Sequence, residues 1–180
     1  MKWRICNINK ISKSEQQSVL SLLSESKKLR LDRVKSEAAK TRSLCAAVNL
    51  SALLKDGYRL ENAVISSRAD GAPFVEDCEL FVSLSHSGDY VAAAVSDKPV
   101  GIDIQKIRDF DKRLIERICT ERELEYVGEC DTKTRFFEVW TAKEAYFKMC
   151  GGSFKDADIF DMTRKCFVED GYFVQIVFKS

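Results

Sequence analysis
The sequence predicts an α+β fold, and three observations carry that reading. Short apolar or alternating runs of strand length recur at residues 3–8, 64–66, 80–84, 90–95, 100–105, 165–168 and 172–178. Two longer runs, 26–54 and 135–148, contain neither Gly nor Pro and keep helical spacing. The composition, 45% hydrophobic and 32% charged in 180 residues, is that of a globular chain able to bury a sizeable core, as one domain or as two small lobes.

Taken in order, residues 3–8 alternate as a first strand, and Ser12 or Ser14 can cap a helix carrying Val19, Leu20, Leu22 and Leu23. Residues 26–54 read as one helical stretch that changes character midway. Its first part holds Lys27, Lys28, Arg30, Arg33, Lys35, Lys40 and Arg42 against Asp32 and Glu37; its second, from Leu44 to Leu54, is apolar and belongs to the core. Asp56-Gly57 ends the helix, and Asp70-Gly71-Ala72-Pro73-Phe74 is a turn by composition. Runs 80–84 and 90–95 flank Ser85-His86-Ser87-Gly88-Asp89, a hairpin or crossover with its polar residues at the tip. Asp97-Lys98-Pro99 reads as a link. Residues 109–119 form a charged amphipathic helix with Leu114, Ile115 and Ile118 inward, and Thr120 and Glu123 then have the spacing of a capping box. Gly151-Gly152 ends the 135–148 helix, and the last two strands close the chain as a hairpin around Glu169-Asp170-Gly171.

Charge and composition exclude several classes of function. Net charge is +1, but residues 1–100 hold 15 basic and 12 acidic side chains and residues 101–180 hold 14 and 16, so the first part is the better seat for an anion. The basic run has no interleaved aromatic residues, which argues against nucleic acid. Seven Cys without a Cys-x-x-Cys pair, beside one His, provide no zinc set; the thiols are expected to be reduced and in the core. No apolar run approaches the ~18 residues of a membrane span and no signal-peptide core is visible, so a cytoplasmic protein without a membrane partner is expected.

The chemistry concentrates in two stretches. On the helix 135–148, Phe136, Trp140, Glu144 and Lys148 follow at i+4 steps, placing an acid and a base one turn apart beside an indole. Taken alone, this is an ordinary surface ion pair. The strand 100–105 adds a second acid: Val100, Ile102 and Ile104 point one way and Gly101, Asp103 and Gln105 the other. An Asp among Ile residues is costly to bury unless a cation or donors meet it. Were Glu144 to approach it to ~4 Å, repulsion at an effective dielectric of 20 would be about 4 kcal/mol, which calls for a proton or a metal. Two carboxylates and an amide oxygen are hard ligands that suit magnesium.

Gly-Ile-Asp-Ile at 101–104, followed about forty residues later by Trp-Thr-Ala-Lys-Glu-Ala-Tyr-Phe-Lys at 140–148, resembles the signature pair of the 4'-phosphopantetheinyl transferases. Ser-Leu-Ser-His-Ser-Gly at 83–88 resembles that family's third motif, in order and spacing. The length resembles the monomeric, surfactin-synthetase-activating branch. The resemblance implies two pseudo-symmetric lobes, each a small mainly antiparallel sheet packed on helices, with the active site in the cleft between them. Residues 1–99 would then be the lobe that binds coenzyme A phosphates and 100–180 the lobe with the metal and catalytic residues.

What the resemblance implies for function is magnesium-dependent transfer of phosphopantetheine from coenzyme A to a serine of an apo acyl or peptidyl carrier protein. Asp103, Gln105 and Glu144 would hold the metal. Glu123, which the capping box explains equally well, or a metal-bound water would take the serine proton, and Lys148 or Lys143 would steady the pyrophosphate. Lys27, Arg30, Arg42 and Ser43 match positions that bind the 3'-phosphate of coenzyme A, although a solvated helix face explains the basic run by itself. Ser85 and His86 match contacts to its other phosphates. Two positions depart from the family: Ala72 stands where relatives tend to read Lys, and Gln105 where the monomeric branch often carries Glu. Both favour the alternative of a non-catalytic relative that binds coenzyme A or a carrier protein. A phosphohydrolase would also use the acids and magnesium, but leaves the basic run and the Ser-His-Ser stretch without a purpose.

Overall fold
The computed structural model describes residues 1–129, 131–154 and 157–179. The chain divides into two compact units, residues 1–98 and 99–180. In the first, strands β1 (Lys2–Asn7), β4 (Phe81–Ser87) and β5 (Tyr90–Ser96) form an antiparallel sheet in the order β1-β5-β4, and β2 (Ile65–Ser67) pairs with β3 (Pro73–Val75) as a separate ribbon. Ser12 closes a full capping box with Glu15 on α1 (Lys13–Val19). The long helix α3 (Glu37–Tyr58) covers the three-stranded sheet. Its Ala47, Leu50, Leu53 and Leu54 join Ala93 and Val95 of β5 in one core, while Cys45 and Ala46 join Ile11 and Val91 in another.

Three local expectations change here. The stretch 26–54 is two helices, α2 (Glu25–Asp32) and α3, because Ser36 is extended and its side chain accepts the Ala39 amide, starting a new helix. Gly57 does not end α3. The helix runs on to Tyr58 and stops at Arg59, which takes a left-handed conformation, while the missing side chain of Gly57 makes room for Lys2. Finally, Ser85, His86 and Ser87 are strand residues of β4. Ser87 pairs with Tyr90, so the hairpin turn is Gly88-Asp89 alone, with Gly88 at positive φ.

The second unit has a sheet of order β6-β8-β7, from β6 (Val100–Lys106), β7 (Arg164–Glu169) and β8 (Tyr172–Phe178), all antiparallel. The β7–β8 turn is Asp170-Gly171, both at positive φ, as a tight primed hairpin requires. Helix α6 (Thr132–Cys150) packs on this sheet and ends at Gly151. The charged stretch 109–119 is helical only as α4 (Arg113–Ile118), and α5 (Glu121–Glu129) follows Thr120. Phe136, Phe137, Val139, Ala142, Ile159 and Phe173 centre its core. Not all thiols are core groups: Cys45 and Cys119 are buried, but Cys150 and Cys166 are exposed, and Cys130 lies outside the described residues. No described helix is long and apolar enough to cross a membrane.

Candidate active site
Gly101 lies where α6 comes down on β6. A Cβ there would stand 1.8 Å from the Ala145 carbonyl oxygen, so only glycine permits the approach. Two residues along the same face is Asp103, 5% exposed. Lys148 reaches it from α6, with Nζ 2.6 Å from Asp103 Oδ1 and donating to the Ile102 carbonyl at 3.2 Å. A desolvated carboxylate is thus met by an ammonium held in place by a second acceptor.

Glu144, half-buried one turn before Lys148, belongs to the same electrostatic group. Burial pushes its carboxyl above the usual range, the Asp103 charge pushes it further, and Lys148 pulls it back. That carboxylate repulsion is what a hard divalent cation relieves. Gln105, half-buried, follows Asp103 by alternation on β6. Among the described residues no group of three or more His, Cys, Asp or Glu gathers. Two carboxylates and one amide would therefore leave half of an octahedral shell to water and substrate oxygens, which suits magnesium. Trp140 is half-buried and turned into an aromatic stack, 6.1 Å from Phe136 and 5.7 Å from Phe154 between ring centroids.

Glu123 and Lys143 are brought together in a different environment. Both side chains are 0% exposed, and Lys143 Nζ lies 2.7 Å from Glu123 Oε2. The ammonium also donates to the carbonyls of Ile118 at 2.8 Å and Phe154 at 2.7 Å. Glu123 accepts the Thr120 amide at 2.7 Å, as the capping box requires, and the Ile159 amide at 2.9 Å. The sequence carried a signal for Lys143: it falls four residues after Val139 and seven after Phe136, both buried, so helical spacing puts it on the core side of α6.

In the first unit the basic run separates into two populations. Lys28 and Lys40 pair with Glu25 and Glu37 at i,i+3 on exposed helix faces. Lys27 and Arg30 instead turn to the β2–β3 ribbon: Lys27 Nζ donates to Ser67 Oγ at 3.0 Å and Arg30 donates to the Arg68 carbonyl at 2.6 Å. Burial and the neighbouring Arg30 charge lower the pKa of Lys27. Arg42 and Ser43 stand half-buried on α3, and the Arg42 side chain has no hydrogen bond or ion pair among the described residues. Ser85 is buried and His86 exposed; as neighbours on a strand their side chains face opposite sides, so they are not a paired donor set at a turn tip. Sequence reasoning passed over Ser67 and Arg68, and it placed Gly101 on the Asp103 face without the close helix approach that requires glycine there. A glycine inside an apolar strand was the available signal for that approach.

Residues 99–174 match the profile of the 4'-phosphopantetheinyl transferase superfamily, and that span contains β6, α6 and the whole carboxylate cluster. Over those residues the chain is similar to this superfamily. It is similar to the 4'-phosphopantetheinyl transferase gsp of Aneurinibacillus migulanus, with 37% identity over 94 residues, 51% of this chain and 39% of the relative. Similarity to psf-1 of Bacillus pumilus is 34% over 116 residues, 61% of this chain and 50% of the relative. For Sfp of Bacillus subtilis (strain 168) it is 26% over 147 residues, 78% and 66%. The chain thus spans half or less of the length of the first two relatives.

Proposed function
We propose that the protein transfers the 4'-phosphopantetheine group of coenzyme A to a serine hydroxyl of an acyl or peptidyl carrier protein, as a cytoplasmic monomer. The serine oxygen bonds to the phosphorus bearing pantetheine, the pyrophosphate bond breaks, 3',5'-ADP leaves with the bridging oxygen, and the serine proton is released. The observation that supports this best is the convergence of Asp103, Glu144 and Lys148 on the two elements that carry the family signature.

Asp103 and Glu144, with the Gln105 amide, would hold magnesium, which when bound neutralises charge on the pyrophosphate oxygens. Lys148, already opposite Asp103, supplies a fixed positive charge for a phosphate oxygen. In the first unit, Arg42 would offer its fork of donors to the 3'-phosphate of coenzyme A, with Ser43, Lys27 and Arg30 beside it, and Ser85 and His86 would each meet its other phosphates. Incubation with coenzyme A, magnesium and an apo carrier protein, followed by mass measurement of the carrier, tests the reading. One added phosphopantetheine is expected. Retention of coenzyme A with an unmodified carrier would indicate a binding protein, and hydrolysed coenzyme A a phosphohydrolase.

A further inference from the structure
Three consecutive residues of α6 have three different tasks. At about 100° per residue, Lys143 and Ala145 point to nearly opposite sides of the helix, with Glu144 between them. Ala145 is seated against Gly101 of β6. On the other side, Lys143 is gripped by the end of α4 through the Ile118 carbonyl, by α5 through Glu123, and by the segment after α6 through the Phe154 carbonyl. Glu123 is fixed in turn by the amides of Thr120 and Ile159. All three ammonium protons and both carboxylate oxygens are therefore engaged, and neither side chain is exposed.

We propose that the Glu123–Lys143 pair is a positioning device for the transfer reaction, and that Glu123 is not the group that takes the serine proton. The pair fixes the rotation of α6 from the side of α5, and the same rotation that seats Ala145 on Gly101 presents Glu144 and Lys148 to Asp103. Its effect on turnover rests on the transferase reading; the clamp itself rests on geometry.

Four proteins test it: wild type, Glu123→Gln, Lys143→Met and the double variant. Turnover is measured with coenzyme A, magnesium and apo carrier protein, and Mn2+ alone is titrated into each metal-free protein by electron paramagnetic resonance. Each single substitution leaves a buried charge without its counter-ion. Turnover is expected to fall on the order of 10²-fold by displacement of α6, with the Michaelis constant for coenzyme A little changed, and Mn2+ binding is expected to weaken. The double variant buries no charge, so both readouts should recover to within about tenfold of wild type, a coupling that a lost proton acceptor cannot produce. A double variant as inactive as Glu144→Gln overturns the proposal, and this comparison stands even if the single variants do not fold. Should wild type transfer nothing, the transferase reading fails separately. The Mn2+ titrations then decide the clamp: weakening in the singles with recovery in the double supports it, and a double variant no better than the singles, or equal binding in all four, overturns it.

Discussion
An acid that burial and a neighbouring acid both discourage from ionising is a source of instability when charged, and Glu144 is such an acid. Its folded-state pKa lies above the unfolded value, so the native state binds more protons, and the metal-free protein loses stability as pH rises through the glutamate range. Glu144→Gln should therefore melt at or above wild type at neutral pH in the absence of metal, with the difference closing below that range. The same variant, and Asp103→Asn, should lose more transfer than the roughly 10–100-fold typical of outer-shell partners of a metal ligand. A Gln variant that melts clearly below wild type at pH 7 would count against the electrostatic account. Gln105 extends the argument, because its amide can meet a cation but adds no charge. Gln105→Glu should lower the magnesium concentration for half-maximal transfer and Gln105→Ala raise it. An unchanged midpoint in both places the side chain away from the metal. These residues were legible because a strand alternates and a helix repeats at four. Which of several acids is desolvated was not, since burial depends on neighbours distant in sequence: Glu123 has two equal readings in sequence and a fully buried ion pair in the fold.

At the scale of elements, the site depends on how closely one helix lies on one strand. Gly101→Ala would put a Cβ 1.8 Å from a backbone oxygen of α6, which cannot rotate away. Overpacking commonly costs ~1–3 kcal/mol and more where backbone must move. The variant should melt well below wild type and transfer little even at saturating magnesium, because displacement of α6 carries Glu144 and Lys148 with it. A normal melting temperature would mean that the helix is not held at this distance. Element types followed from the sequence, whereas several boundaries did not, and the physical reasons differ. The break before α3 hinges on one serine accepting an amide, and α3 outruns Gly57 because that glycine serves contact with Lys2 rather than termination. Period two does not reveal that the polar residues 85–87 continue β4, because cross-strand pairing with β5 overrides their turn-like composition.

Over the whole molecule, the two halves were legible to different degrees. The family match covers residues 99–174, where strand and helix each carry a signature; residues 1–98 offer a basic run and a Ser-His-Ser stretch, whose charges serve several purposes. The fold separates those purposes: Arg30 is committed to the Arg68 carbonyl and lies against Gly71, while the Arg42 side chain has no hydrogen bond or ion pair among the described residues. A ligand phosphate gains most from a guanidinium that gives up no protein partner to bind it. Arg42→Ala should therefore raise the Michaelis constant for coenzyme A on the order of tenfold with little change in kcat, the signature of lost ground-state binding. The effect should shrink when 3'-dephospho-coenzyme A replaces coenzyme A. Arg30→Ala should act more on the melting temperature, through the β2–β3 ribbon, than on that discrimination. If Arg42→Ala treats the two substrates as wild type does, the 3'-phosphate is not its partner and the basic run on this face is solvated surface.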